Sequence, residues 1–363
     1  MKSKVPGDEY YHYGDNVMVD TTYNNKSGYK GYPEFKFYES DNYFSCFKYF
    51  NNTYYGILHN SKGLITSTDG ITWSDPIFTD IYLTNICYNN GIYVLTTQTG
   101  IKYSTDLISY NNTNVSSQSY YDCVYGKDKF IAFIDHPDYS YHYAYSTDGI
   151  TWTTSVLPRN NSEAYRDICY ADEKFLVCGS TGLYYSVDGI NWNTAISSLN
   201  YTWPKITYGN GLYVVLDYIV SSADKGTSLV YSQDLINWET CSISSHYITS
   251  PISIGFIDEK FIIFQNSSLK YTYRVTSDFN SWVSVSGVTN ISTVNGLDGT
   301  IKILVANNKI LYGGKEFFTI CDWNITYYQF SGWNKSDFNI TADTSITASW
   351  NTVSSGDGLN FID

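Results

Sequence analysis

A segment of the form Ser/Thr-x-Asp-x-x-x-Trp/Tyr returns six times along this 363-residue chain. The copies span 67–73, 104–110, 146–152, 186–192, 232–238 and 276–282, and close on Trp73, Tyr110, Trp152, Trp192, Trp238 and Trp282. The closing aromatics are therefore 37 to 46 residues apart. A strand-built unit of that length cannot bury its apolar face alone. Such units stack on one another around an axis, which is the sequence signature of a propeller.

Each unit is larger than its Asp segment. Ahead of the segment comes a strand ending near an aromatic, then a polar turn, then a second apolar run. Asn85-Ile86-Cys87-Tyr88, Asn89-Asn90-Gly91 and Ile92-Tyr93-Val94-Leu95 make one example. Cys123-Val124-Tyr125, Gly126-Lys127-Asp128-Lys129 and Phe130-Ile131-Ala132-Phe133 make the next. β-branched and aromatic runs split by Asn, Gly and Asp are hairpin signals. Each unit is expected to be a four-stranded blade, with a third strand leading into the Asp segment and a fourth leaving it.

The first clear unit begins near Tyr43, and a seventh, without an Asp segment, follows the sixth through Ile301-Lys302-Ile303-Leu304-Val305 and Ile310-Leu311-Tyr312. Its fourth strand is expected from Phe35-Lys36-Phe37-Tyr38, which would cover the last open edge. The expectation is an all-β protein: a propeller of seven four-stranded blades, with six the alternative, and a small C-terminal β module. The domain reading is an N-terminal arm over 1–34, the propeller over 35–312 and the C-terminal module over 313–363.

The segments resemble the Asp-box (BNR, sialidase-like) repeats of β-propellers, although that family's pattern is one residue longer. The resemblance implies an outer-rim turn between third and fourth strands. Physically, an Asp at a turn start accepts bonds from backbone N–H groups two residues on, and the closing aromatic fills the gap between sheets. Asp69, Asp106, Asp148, Asp188, Asp234 and Asp278, with Trp73, Trp152, Trp192, Trp238 and Trp282, are read as staples of the blades and not as catalysts. Gly follows the Asp at 70, 149 and 189, whereas Leu107, Leu235 and Phe279 stand there in the other copies. On that ground a left-handed backbone is not expected to be obligatory at this position.

The C-terminal run Phe330-Ser331-Gly332-Trp333 and Phe338 to Trp350 resembles the second half of a Listeria–Bacteroides (internalin B-type) repeat. That resemblance implies surface display. The N-terminal residues carry no apolar leader, and no apolar run reaches membrane-spanning length, so neither a signal peptide nor membrane insertion is expected.

Net charge is −13 and only 16 % of residues are charged, against about 25 % in ordinary domains. Acidity of this size disfavours nucleic acid as a partner. Thirty-eight tyrosines among Asn, Ser and Thr make a surface suited to sugar contact. Seven cysteines, an odd number, are read as reduced and structural.

Three sites are weighed on the face opposite the Asp segments, formed by fourth-to-first and second-to-third connections. A sialidase site needs three arginines converging on a carboxylate. Only Arg159, Arg166 and Arg274 exist, two of them in one loop, so that reading is set aside. Asp122 and Asp167 head the first strands of adjacent units, at the place held elsewhere by Asn85, Lys205 and Ser253. As a pair they would suit acid–base hydrolysis of a glycoside; as a solvated rim they would do nothing chemical. Tyr139, Tyr165, Arg166, Trp203, Tyr218, His246 and Tyr247 are the candidate sugar-binding residues, with His136 beside them. His59, His136, His142 and His246 fall on the same face without ligand spacing, so no metal and no cofactor is expected.

The expected function is a non-enzymatic binding or structural protein displayed on a virion or cell surface. The sharpest version is a phage tail-associated attachment protein that recognises host-surface glycan through its loops. The alternatives are a purely architectural baseplate, tail or capsid component, and a glycoside hydrolase using Asp122 and Asp167. Other virion proteins, or copies of the same chain within an assembly, are the partners those alternatives imply.

Overall fold

The computed structural model describes residues 9–11, 27–29, 35–59, 63–134, 142–158, 165–199, 201, 204–217, 228–242, 251–257, 260–265, 271–274, 279, 282–285, 302–322, 327–333, 344–346 and 348–353. They fall into two units: Glu34–Asp322, and Met1–Pro33 together with Trp323–Asp363.

The larger unit is a β-propeller. Among the described residues, five four-stranded antiparallel blades follow one another, at 83–116, 120–155, 165–196, 204–242 and 251–285. The expected count of seven, and its alternative of six, therefore gives way to five four-stranded blades. The reason is strand continuity. Phe35–Phe50 and Lys309–Asp322 are unbroken strands of 16 and 14 residues. The expected fourth strand of the last unit and the first strand of the first unit are thus a single strand. It pairs through Phe35–Tyr43 with Lys315–Cys321 and through Phe44–Phe50 with Thr53–Leu58. The two outer units merge into one five-stranded sheet that also holds Lys302–Ala306 and Leu64–Ser67.

Packing closes the ring. The first strands Phe35–Phe50, Leu83–Asn89, Tyr120–Gly126, Tyr165–Ala171, Pro204–Gly209, Pro251–Ile257 and Lys302–Ala306 each lie beside the next, and the last returns to Phe35–Phe50. The second strand of a blade is sandwiched between neighbouring sheets and reads as a continuous apolar run. Phe130 to Ile134 and Phe175 to Cys178 are all buried. Complete burial of one Phe or Ile stabilises by about 1.5–3 kcal/mol, so these inter-blade layers dominate the core. The hairpins between first and second strands turn through left-handed pairs such as Asn90–Gly91 and Asn210–Gly211, the type I′ geometry that matches strand twist.

Every described Asp segment folds alike at the blade edge. In the 186–192 copy, Ser186 Oγ donates to Asp188 Oδ1 at 2.9 Å and accepts from Gly189 N at 2.8 Å. Asp188 Oδ1 also accepts from Ile190 N and Asn191 N at 2.8 and 2.7 Å. The copies at Asp69, Asp106, Asp148 and Asp234 repeat this set; Asp278 lies outside the described residues. The next residue is left-handed in all six copies: Gly70, Gly149 and Gly189 at φ of 73 to 78°, and also Leu107, Leu235 and Phe279 at 58, 64 and 53°. The expectation that a left-handed backbone is not obligatory here gives way: Leu107, Leu235 and Phe279 adopt it as well. Leu235 and Phe279 are buried against the preceding blade, and that burial offsets a left-handed strain of roughly 1–2 kcal/mol. Trp152, Trp192 and Trp238 pack on the sheet preceding their own, and Trp73 packs within the fused five-stranded sheet, on Phe44 and Phe47. Trp282 pairs in a strand with Arg274.

The smaller unit joins both chain ends. Ser27–Tyr29 pairs with Tyr327–Gln329, and Tyr327–Trp333 pairs in turn with Ala348–Val353. Glu9–Tyr11 pairs with Thr344–Ile346. The N-terminal segment expected as a separate arm thus shares sheets with the C-terminal module. The propeller strand at its start runs through to Asp322, beyond the expected boundary at 312.

Candidate functional site at the head of the first strands

In four of the five blades the first strand carries a one-residue bulge at its head, and so does Phe35–Phe50. Ser45, Thr84, Tyr121, Arg166 and Ile252 are the extra residues, and the 204–242 blade has none. A bulge interrupts the strict alternation of a strand and re-aims a side chain. Here it lets consecutive residues, Tyr121 with Asp122 and Arg166 with Asp167, reach the same place. One pocket between the 120–155 and 165–196 blades is lined by Tyr121, Asp122, Tyr165, Arg166 and Asp167 over a floor of Phe133, Ile134, Ile168 and Val177.

Asn85, Asp122, Asp167, Lys205 and Ser253 occupy equivalent register positions, each three residues before the aromatic that ends its strand. Both carboxylates are already bonded. Asp122 Oδ1 accepts from Asn85 Nδ2 at 2.5 Å and Cys123 N at 2.7 Å, with Lys48 Nζ 3.4 Å away. Asp167 accepts from Ile206 N at 2.9 Å and from Lys205 Nζ at 3.3 Å. The aspartate side chains are only 13 % and 18 % exposed.

Burial pushes the Asp122 carboxyl above the usual carboxylate range; the Lys48 charge opposes this and the Asp167 charge adds to it. For Lys48 and Lys205 burial alone would favour the neutral amine, but the carboxylates of Asp122 and Asp167 outweigh it and hold both ammonium groups firmly charged. The arrangement is two largely buried ion pairs whose carboxylates line the same pocket as Tyr121 and Arg166.

Of the residues expected to bind sugar, Tyr165 and Arg166 meet in this pocket, together with Asp122 and Asp167. Tyr139, Trp203, Tyr218, His246 and Tyr247 lie outside the described residues, as do His136 and Arg159. His142 stands 6.2 Å from Tyr165, ring to ring, and its Nδ1 accepts from Leu157 N. Sequence reasoning missed Tyr121, Lys48 and Asn85 as parts of the site. Tyr121 adjoins Asp122, but only the bulge brings it into the pocket. Lys48 comes from a strand two positions away around the ring.

Among the described residues no group of three or more His, Cys, Asp or Glu side chains is placed to hold a metal ion. Cys46, Cys87, Cys123, Cys169, Cys178 and Cys241 are free thiols. Among the described residues no helix is long and apolar enough to cross a membrane.

A ring of four-stranded blades with its pocket at the heads of the inner strands defines a β-propeller, and solved structures share that fold. Virginiamycin B lyase from Staphylococcus aureus superposes with a TM-score of 0.60 at 12 % identity, over 79 % of this chain and 99 % of that one. An extracellular domain from B. thetaiotaomicron gives 0.58 at 10 % identity, over 88 % of this chain but 40 % of the other. The WD40 domain of Neurospora crassa Pan2 gives 0.52 at 7 %, over 82 % and 91 %. At such identities the likeness is one of fold. No family model and no curated protein matches the sequence.

Proposed function

We propose that the chain is a non-enzymatic binding protein that holds carbohydrate at the pocket between the 120–155 and 165–196 blades. The observation that carries this reading is that the exposed Tyr121 and the half-buried Arg166 line one pocket with Asp122 and Asp167, carboxylates paired with Lys48 and Lys205. The exposed Tyr121 ring offers a face to the C–H groups of a pyranose, and the Arg166 guanidinium donates to its hydroxyls. A general acid or base needs a proton site facing substrate, whereas the Asp122 and Asp167 carboxylates are largely buried and each is held by a lysine and a backbone N–H.

The Asp turns are read as Asp boxes of the BNR type, on the strength of their repeated Ser–Asp–backbone bonding. The proposed setting is the exposed surface of a phage virion, as a tail-associated attachment protein on host-surface glycan, or the outside of a cell. That setting rests on the tyrosine- and amide-rich composition. An architectural tail or capsid component is the competing assignment if no glycan binds.

The enzyme alternative draws on one observation, the raised pKa of Asp122 beside a second carboxylate in the same pocket. A glycan array separates these readings. Retention of the full chain that falls at least tenfold in Tyr121→Ala and persists in Asp122→Asn supports binding. Release of reducing sugar that disappears in Asp122→Asn assigns a hydrolase instead. Absence of any retained glycan removes the carbohydrate reading.

A further inference from the structure

We infer a second carbohydrate subsite on the same end of the propeller, so that the ligand is an extended oligosaccharide and not a single sugar; this rests on the carbohydrate reading above. Tyr43, His59 and Tyr82 come from three separate parts of the chain and meet beside the first strand Leu83–Asn89. The Tyr43 and His59 rings lie 4.4 Å apart at 32°, and Tyr82 stands nearly edge-on to His59 at 6.3 Å and 76°. The His59 backbone N donates to the Tyr43 carbonyl at 2.7 Å, which sets the two residues side by side. All three are only half-buried.

Polar groups flank the rings. Gln98 N donates to Tyr82 O at 3.2 Å, and the Gln98 and Thr99 side chains are exposed beside it. Half-buried rings next to an amide and a hydroxyl are the chemistry that holds a pyranose: C–H groups on the exposed ring faces, hydroxyls on the amide.

The two subsites belong to one surface. Tyr82 immediately precedes Leu83–Asn89, whose Thr84 and Asn85 bond directly to Tyr120 O and Asp122 on the next first strand. One inner strand therefore lies between the Tyr82 platform and the Tyr121 pocket. Both sit at connections that precede first strands or follow second strands, which antiparallel pairing puts at the same end of the sheets. A single sugar fills one subsite; a chain that occupies both must cross the head of Leu83–Asn89.

The test is an array printed with glucose, galactose and N-acetylglucosamine homo-oligomers of one to six units, probed with the full chain and variants of unchanged melting temperature. Retention is expected to rise with length, and Tyr82→Ala is expected to remove about tenfold on the longest members while leaving monosaccharides unchanged. Gln98→Ala, an exposed site that does not threaten folding, should show the same length-selective loss more weakly. Tyr121→Ala should weaken every length. Retention that does not depend on length, or an equal loss at all lengths in Tyr82→Ala, overturns the second subsite and leaves the pocket reading standing. No retention of any sugar overturns both.

Discussion

Lys48 and Asp122 sit on inner strands separated by a third, yet Lys48 Nζ stands 3.4 Å from Asp122 Oδ1. The lysine passes the head of Leu83–Asn89, where Asn85 bonds the same carboxylate oxygen. The pair thus couples three first strands around the ring and fixes the charge under the pocket.

Removing one member strands the other. With Lys48 29 % and Asp122 13 % exposed, Lys48→Met is expected to destabilise by about 2–3 kcal/mol at neutral pH, somewhat under the value for a fully buried pair. The folded pKa of Asp122 lies above its unfolded one, so in the window between them the native state binds more protons and stability falls as pH rises. Losing Lys48 raises that pKa further. The difference in urea midpoint between variant and parent should therefore be largest near neutrality and shrink on acidification. A difference that grows towards acid pH would contradict this.

The Asp turns carry the opposite pH dependence. Backbone bonds from Thr72 and Ile71 hold the Asp69 carboxyl down at about 2, and Asp106, Asp148, Asp188 and Asp234 are lowered as well. A depressed folded pKa gives stability that is fully present above the unfolded value and is lost as pH falls through the folded one. Asp69→Ala should cost about 1 kcal/mol near neutrality, the usual value of a capping-type side chain. That cost should shrink on acidification and disappear only as pH falls through about 2, and thermal melts across the acid range check it.

Leu107 and Leu235 share a left-handed backbone but differ in burial. Leu235 is 2 % exposed, so Leu235→Gly relieves strain of roughly 1–2 kcal/mol but gives up a larger burial and leaves a cavity. A net loss of about 2 kcal/mol is expected. Leu107 is only half-buried, and Leu107→Gly should be close to neutral. Equal losses at the two sites in chemical denaturation would refute the offset.

Gly126 and Gly91 lie on neighbouring hairpins for different reasons. A Cβ on Gly126 would fall 2.1 Å from the Tyr170 ring of the next blade, whereas one on Gly91 meets nothing within 4 Å. Gly126→Ala must displace Tyr170 and should cost about 1–3 kcal/mol as an overpacked site. Gly91→Ala, at φ of 84°, should cost only about 1 kcal/mol of backbone strain. Melting temperatures of the two variants decide the order.

Much of the scaffold was legible from local pattern. The hairpin of Cys87 and Val94 announces itself by β-branched runs around Asn-Gly, and the Asp188 turn by its own spacing. Arg166 and Tyr165 were legible as pocket residues because they head a first strand. Tyr121 was not, because a bulge shifts side-chain direction without leaving a mark in residue type. The blade count was misread because nothing between Tyr38 and Phe44 shows whether a strand stops or continues.

What the chain determined by itself were the features made of short-range bonds: the strand repeat, the hairpin turns, the Asp turns and the equivalence of Asn85, Asp122, Asp167 and Lys205. Tertiary structure decided the rest. It fused the outer units through one 16-residue strand, joined the two chain ends in shared sheets and kept Leu235 and Phe279 left-handed by burying them against another blade. It also brought Lys48 to Asp122 and Lys205 to Asp167, so that each of these largely buried carboxylates faces an ammonium group. Each of these depends on which distant groups share a low-dielectric space, and sequence separation carries no measure of that distance.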